Sequence, residues 1–315
     1  MLRASAETLS RRFQKSLGYW PDLQNPRALQ EKILWRKLYE DMSEAVQLAD
    51  KVAVRDYVRD AAGEKYLIDA YAIVEDAKDL DFDALPRSFV LKNNRASGTN
   101  MIVHDKASLD TSAIRRILNS MLGFEYGRRL GEHWYASIPP RIIVERLLVD
   151  DETIIPADYR FHVFHGKAEF IQVLMDKQFS EDMVPNVPTV GQKYVDSREA
   201  MVANYGLDWQ PAPFRFRSRT QPAPLIRKPG AADEMLALAE RLAGDWGYVR
   251  VDLYCINDRE VYFSELTFTP NAGLFGLVPE SYNEFFGGLW DISRRYVRSE
   301  RTLNPGPDGS EATSC

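Results

Sequence analysis

The 315-residue sequence predicts an α+β fold in which two β-rich units follow a helical N-terminal segment. Three observations lead there. Apolar residues recur at near-helical spacing through the first sixty positions. Strand-like runs fill the middle and the late part of the chain. No GxGxxG fingerprint accompanies them, which argues against a standard dinucleotide-binding α/β fold.

The helical segment comes first, over residues 1–62. In LQEKILWRKLY, Leu29, Ile33, Leu34, Trp35 and Leu38 lie close to helical spacing. SEAVQLADKVAVRDYVRDAAG predicts a second helix, capped at Ser43 and stopped at Gly63. On that helix Lys51 and Arg55, four apart, share a face. A first β-rich unit is expected over residues 63–140. YLIDAYAIV is a strand, SFVLKNN and MIVHD are strands joined by the small-residue loop NRASGTN, and residues 111–130 are a helix. A second unit is expected over residues 141–300. RIIVERLL, DYRFHVFHG and KAEFIQVLMD are successive strands, the last two turning at Gly166. Residues 176–229 are irregular, and connections this long often carry function. Residues 232–244 form a helix. GYVRVDLYCI and REVYFSELTF are strands joined through Asn257 and Asp258. Residues 301–315 are expected to be disordered.

Composition bounds the function. With 45% hydrophobic and 27% charged residues, the chain has the balance of a soluble globular protein. It has no apolar run of eighteen residues, and no membrane span is expected. The N-terminus lacks a continuous apolar stretch before a cleavage site, and Cys255 and Cys315 make no disulfide framework. A cytoplasmic setting is therefore expected. A net charge of -6 offers no general attraction to phosphate backbones, so nucleic acid is not an expected partner. FRFRSR, residues 214–219, is a local basic exception: either a solvated or lobe-bridging strand, or a contact for an anionic substrate. The four histidines fall in no zinc spacing. GxSxG and GxxxxGK[ST] are absent, which removes support for that hydrolase class and for a P-loop.

The sharpest chemistry is a pair of carboxylates on consecutive strands. Asp252 shares a strand face with Arg250 and Tyr254, and Glu265 shares one with Phe263 and Thr267. Two carboxylates in a strand-rich core are costly unless paired or metal-bound. They are either a magnesium site, with Arg250 beside it for a phosphoryl group, or an ion-pair network. Lys92 ends the apolar run FVLK before NNRASGTN. It can hold nucleotide phosphates, with the loop's N–H groups assisting, or stand solvated at a strand end. Glu145 interrupts IIVERLL, either bordering a base or ribose or making surface ion pairs. DYRFHVF puts Asp158, Arg160 and His162 on one face, with Arg160 a candidate ligand for phosphate or an acceptor carboxylate.

Taken in order, these elements resemble the ATP-grasp superfamily, most closely its TupA-like (teichuronopeptide biosynthesis) branch. The resembling stretches are KLYEDMSEAVQLADKVAVRDYV, FDALPRSFVLKNNRASG, IIVERLL, DYRFHVFHG and GYVRVDLY through VYFSELTFTPNAG, spanning about residues 30 to 297. The resemblance implies ATP between two α+β subdomains. Lys92 would hold the α/β phosphates under a loop over 94–98 that includes Asn94, Ser97 and Gly98. A hinge over 144–148, with Val144, Glu145 and Leu147, would lie beside adenine. Lys51 and Arg55 resemble the basic pair of the family's upstream helix. Asp252 and Glu265 would ligate magnesium, and Arg250, with Arg160, would face the reacting phosphate. One departure stands out: Thr267 occupies the position where many members carry a metal-binding asparagine, and Asn271 can compensate from the following loop.

The implied activity is ATP-dependent ligation of a carboxylate to an amine through an acyl phosphate. An amino acid or peptide would be joined to a bacterial cell-surface glycan, its precursor or another amine, at the cytoplasmic side of the membrane. Direct phosphorylation of a sugar or polyol hydroxyl, and a silent nucleotide-binding scaffold, are the alternatives the sequence leaves open.

Overall fold

The computed structural model describes residues 6–98, 100–150, 156–175, 178–180, 193–196, 201–217, 221–222 and 225–297. The expected tail, much of the 176–229 region and Cys315 lie outside the described residues.

Four helices lead in: α1 (Ala6–Leu17), α2 (Leu29–Tyr39), α3 (Ser43–Ala49) and α4 (Val54–Ala62). The start of α2 is held by Glu31, whose carboxylate accepts the backbone N–H groups of Arg27 and Ala28 at 2.9 and 3.0 Å. That suits the positive end of the helix dipole. The single helix expected over 43–62 is two helices. Asp50 breaks it: its carboxylate accepts the Val52 N–H at 2.8 Å and also binds Asn94 and Arg141. A short side chain bonded to the backbone two residues on competes with the helix ladder. Lys51 therefore lies in the turn and Arg55 on α4, not on one shared helical face.

The first sheet runs in the order β1 (Ala70–Val74), β4 (Ile142–Glu145), β2 (Phe89–Asn93), β3 (Met101–Val103), β8 (Lys193–Asp196), β7 (Gln178–Ser180). All of its pairings are antiparallel. The chain thus leaves this sheet only after Glu145, and returns to it with β7 and β8. On one face Phe89, Leu91, Met101, Val103, Ile142 and Val144 pack against Ile114, Ile117, Leu118 and Met121 of α5 (Thr111–Leu122). Asp110 caps α5 by accepting the Ala113 N–H at 2.9 Å, a contact worth about 1 kcal/mol. The helix ends at Gly123, short of the expected residue 130.

The second sheet runs β11 (Gln221–Pro222), β9 (Met201–Tyr205), β6 (Lys167–Met175), β5 (Asp158–Phe164), β12 (Val249–Ile256), β13 (Glu260–Thr267). The hairpins fall where turn chemistry predicts. His165–Gly166 and Asn257–Asp258 all have positive φ, as primed hairpin turns require. One face carries Tyr159, Phe161, Val163, Val249, Val251 and Leu253 into the main core, against Met235, Leu238, Ala239 and Leu242 of α6 (Ala232–Ala243).

Between β9 and the C-terminal end, β10 (Arg215–Arg217) pairs with β14 (Gly276–Val278), and α7 (Ser281–Leu289) follows. Here residues 214–217 of FRFRSR resolve into alternation, and Ser218 and Arg219 lie outside the described residues. Phe214 and Phe216 enter an aromatic cluster with Phe170, Phe275 and Phe286, while Arg215 and Arg217 stay outside, and Arg217 pairs with Glu280 at 2.6 Å. Among the described residues no helix is long and apolar enough to cross a membrane.

Candidate functional site

The free faces of the two sheets look at each other across a cleft of about 980 Å³, open solvent included. One part of its wall is apolar. Val90, Ile102 and Leu147 form a small cluster on the first sheet, and Ile68 and Leu148 join Tyr254 in another. The other part is charged, with Lys51, Lys92, Arg146 and Arg160 set against Asp158, Asp252 and Glu265.

The β12–β13 hairpin builds the charged part. Asp252 pairs directly with Glu265 across the ladder, while Leu253 pairs with Phe263. Ser264 is therefore the extra residue of a β-bulge. The bulge corrects the expected alternation: Phe263 points into the core, and Ser264 and Glu265 both line the cleft. Thr267 keeps its expected place beside Glu265, its hydroxyl donating to Oε1 at 3.1 Å. Arg250 grips Asp252 with two bonds, Nε to Oδ1 at 2.6 Å and Nη2 to Oδ2 at 2.5 Å, and reaches Thr267 Oγ1 at 3.1 Å. Arg160 Nε stands 3.7 Å from Asp252, and Lys51 Nζ stands 3.5 Å from Glu265.

Electrostatics separates the two carboxylates. Burial raises the Asp252 pKa despite the pull of Arg250 and Arg160. Burial would also raise that of Glu265, but Lys51, Arg250 and Arg160 outweigh it and the net shift is downward. Burial disfavours the Arg250 charge as well, yet Asp252 and Glu265 hold the guanidinium protonated. The two short bonds from Arg250 are those of an ionised carboxylate, so Asp252 is an anion with an elevated proton affinity.

Across the cleft, β2 and β4 present the lysine side. Lys92 Nζ bonds Glu145 Oε2 at 2.6 Å, and Arg55 Nη1 reaches Glu145 Oε1 at 3.4 Å. Lys51 ties the sides together. Its backbone N–H donates to Asn94 O at 3.0 Å, and its ammonium donates to Ala96 O at 3.0 Å while facing Glu265. Ser97 and Gly98 line the cleft, Gly98 with φ of 72°.

The remaining expected residues fall elsewhere. Asn94 is fully buried, and its amide bonds Asp50 Oδ1 at 2.8 Å and Pro139 O at 2.9 Å, so its side chain turns away from the cleft. Val144 belongs to the core of the first sheet, on the face opposite Glu145. Asn271 sits on the turn after β13 with φ of 47° and does not line the cleft. His162 lies on the same strand face as Asp158 and Arg160 but farther along, stacked on Phe170 and bonded through Nδ1 to the Tyr248 hydroxyl at 2.8 Å. Sequence reasoning missed Ile68, Asn100, Pro156 and Ser264 as cleft residues, and gave Arg146 no role of its own within the expected hinge over 144–148. Arg146 and Ser264 carried a readable signal, since each is polar within or beside an apolar strand. Ile68 and Pro156 carried none.

The wall suits a ligand with a flat apolar part and a polyanionic part. Arg160 Nε and Asn100 Oδ1 are buried there without a hydrogen-bond partner among the described residues, as donor and acceptor awaiting one. Asp252 and Glu265 offer the hard oxygen ligands that magnesium prefers. Two facing, largely antiparallel sheets, with a lysine on one and a carboxylate hairpin on the other, go with a match that makes this an ATP-grasp protein. The match to the family described as TupA-like ATPgrasp covers residues 31–186 and 193–290. The chain belongs to that family.

Among solved structures, it is similar to a D-alanine–D-alanine ligase from Bacillus anthracis, with 18% identity over 84% of this chain and 72% of that one and a TM-score of 0.45. It is also similar to an L-amino acid ligase from Bacillus licheniformis, with 10% identity over 85% and 56% and a TM-score of 0.43. For the ATP-grasp ligase PsnB complexed with a minimal precursor the figures are 13% identity over 76% and 59%, and 0.38. This chain thus spans little more than half the length of the last two. No curated protein matches.

Proposed function

We propose that this chain is an ATP-dependent ligase that joins a carboxylate to an amine through an acyl phosphate. The observation that carries the reading is the convergence of Asp252, Glu265, Arg250 and Lys51 at the charged part of a cleft whose other part is apolar. The adenine would lie against Ile68, Val90, Leu147 and Leu148, with Glu145 near the base or ribose. Lys92 and Lys51 would hold the α/β phosphates, with backbone N–H groups of Ser97 and Gly98 assisting and Arg55 supporting through Glu145. Asp252 and Glu265 would bind magnesium, with Thr267 as a neutral oxygen beside them. Magnesium, when bound, offsets phosphate charge and polarises the transferred phosphoryl group. The lysine side is carried by the first sheet, whose β4 lies beyond the expected boundary at residue 140, and the carboxylate hairpin by the second sheet.

Arg250 and Arg160 would stabilise charge at the reacting centre. An oxygen of the substrate carboxylate attacks the γ-phosphorus, the bond to the β,γ-bridging oxygen breaks, and ADP leaves with the electron pair. The amine nitrogen then attacks the acyl carbon. The tetrahedral adduct collapses by breaking the carbon–oxygen bond to phosphate, and the amine proton passes to solvent. No protein nucleophile is required, so a cleft without a serine or cysteine triad suffices. The carboxylate would come from an amino acid or peptide, and the amine from a cell-surface glycan precursor, the acceptor class that the resemblance to the TupA-like branch implies.

The test is product analysis with ATP, magnesium, amino acids and amino-sugar glycan precursors. Ligation gives ADP and free phosphate in amounts equal to amide formed. AMP release would overturn the acyl-phosphate route, and phosphate retained on an acceptor hydroxyl would make the protein a kinase.

A further inference from the structure

The carboxylate pair is the start of a longer polar row. Five strands of the second sheet place one residue each in it: Glu265 pairs with Asp252, Asp252 with Arg160, Arg160 with Gln172, and Gln172 with Asn204. Residues directly opposite in an antiparallel ladder share a face, with Cβ atoms about 5 Å apart. Their strand neighbours Val251, Phe161, Ile171, Val173, Ala203 and Tyr205 all enter the main core, so the row lies on the cleft side of the sheet. Gln172 and Asn204 have no part in the roles assigned above.

On β6 and β9 this row runs between apolar ones. On one side Phe170 packs on Phe214 with ring centroids 5.0 Å apart, and on the other Leu174 pairs with Val202. An amide is costly in such surroundings unless hydrogen-bonded, and asparagine is disfavoured in strands. Gln172 is nonetheless 7% exposed, and Asn204 is half-buried. Asn204 Oδ1 is buried with no hydrogen-bond partner among the described residues, and so is Arg160 Nε. Beyond Asp252 the row therefore holds one cation and two neutral amides, and no carboxylate.

We propose that Arg160, Gln172 and Asn204 form the subsite for the substrate that supplies the reacting carboxylate, and that this substrate is a peptide held by its main chain and not a free amino acid. The inference rests on the ligase reading above. With magnesium and the γ-phosphate at Asp252 and Glu265, the reacting carboxylate lies beside them, and Arg160 is the next cation along the row. The rest of the substrate then runs over Gln172 and Asn204. Two strand spacings separate β5 from β9, about 10 Å. That is the length of roughly three extended residues. A single amino acid covers only the Arg160 end. Its ammonium would also need an anion, and Asp158, two residues away on β5, already accepts from Arg160 at 3.1 Å. Peptide N–H and C=O groups are neutral, as the two side-chain amides are, and can exchange hydrogen bonds with both.

The experiment measures the Kd of N-acetyl-alanyl-alanine and of alanine for protein loaded with magnesium AMPPNP, in wild type, Gln172→Leu and Asn204→Leu. Wild type should bind the blocked dipeptide at least about tenfold more tightly than alanine, the worth of one or two net hydrogen bonds. Each variant should weaken dipeptide binding about 3- to 10-fold. The thermal midpoint of Asn204→Leu should stay at or above wild type, since leucine removes a buried unpaired oxygen; a purely structural role would lower Tm and leave the dipeptide Kd alone. Gln172→Ala and Asn204→Ala repeat the test where leucine does not fit. Alanine binding as tightly as the dipeptide, undiminished dipeptide binding in the folded variants, or no dipeptide binding to nucleotide-loaded wild type would each overturn the inference and leave the ligase reading standing. Wild type that does not bind magnesium AMPPNP would remove the ligase reading and this inference with it.

Discussion

Glu132 makes the stability of this protein depend on pH, with a sign that can be worked out. The side chain is 4% exposed, its Oε1 accepts from Thr269, and its Oε2 is buried without a partner among the described residues. Burial pushes its pKa from 4.5 up to about 7, against the pull of Thr269 and Lys37. A carboxyl raised in the folded state binds its proton more tightly there than in the unfolded chain. Its contribution to stability is therefore full below pH 4.5 and is lost as pH rises towards about 7. The whole window corresponds to roughly 3 kcal/mol, of which about 2 to 3 kcal/mol falls between pH 5 and 7.5. Lys37, whose own pKa burial lowers to about 8 against the pull of Glu132, titrates in wild type above this window. Glu132→Gln keeps the shape and removes the titration. Urea unfolding at pH 5 and 7.5 should show wild type losing about 2 to 3 kcal/mol relative to the variant. A difference between the two proteins that stays constant with pH would refute the reasoning.

Three further perturbations test the site and the fold. Glu265→Gln removes a charge from the partly exposed carboxylate, and ATP turnover measured by ADP release should fall by at least about 100-fold with the fold retained. Lys92→Met leaves Glu145 with only Arg55 at 3.4 Å, so urea unfolding should show a loss of about 2 to 3 kcal/mol, below the full cost of orphaning a buried charge, together with weaker nucleotide binding. In α7, a Cβ on Gly287 would lie 1.8 Å from Arg27 O and 2.8 Å from Leu29 N. Gly287→Ala should force α7 off α2 at a cost of about 3 kcal/mol, seen as a fall in thermal midpoint of roughly 5 °C.

Much of this architecture could be read from the sequence because strand alternation is a local signal. Period-two reading brought Arg250, Asp252 and Tyr254 to one face, and Asp158 with Arg160 to another, and both sets face the cleft. The same rule, applied within IIVERLL, separates Val144 from Glu145; treating the hinge as one recognition element hid that difference. The bulge at Ser264 was not legible, since an inserted residue leaves no mark in composition. Nor was the break at Asp50, where the decisive partners, Asn94 and Arg141, lie 44 and 91 residues away. Asn94 shows the limit from the other direction. A polar residue beside a small-residue loop reads as a ligand contact, but the same amide serves as the bolt of a buried network. The surroundings of Glu132 rest on a long-range contact with Thr269, which no periodicity announces.

The central claim is that Asp252 and Glu265 bind the metal that accompanies ATP in this cleft. Equilibrium binding of ATP, measured with magnesium and again with excess chelator, tests it most directly in wild type and in Glu265→Gln. The account predicts that magnesium tightens binding to wild type at least tenfold and that this gain is largely lost in the variant. Equal affinity with and without magnesium in wild type, or an undiminished magnesium effect in Glu265→Gln, would contradict it.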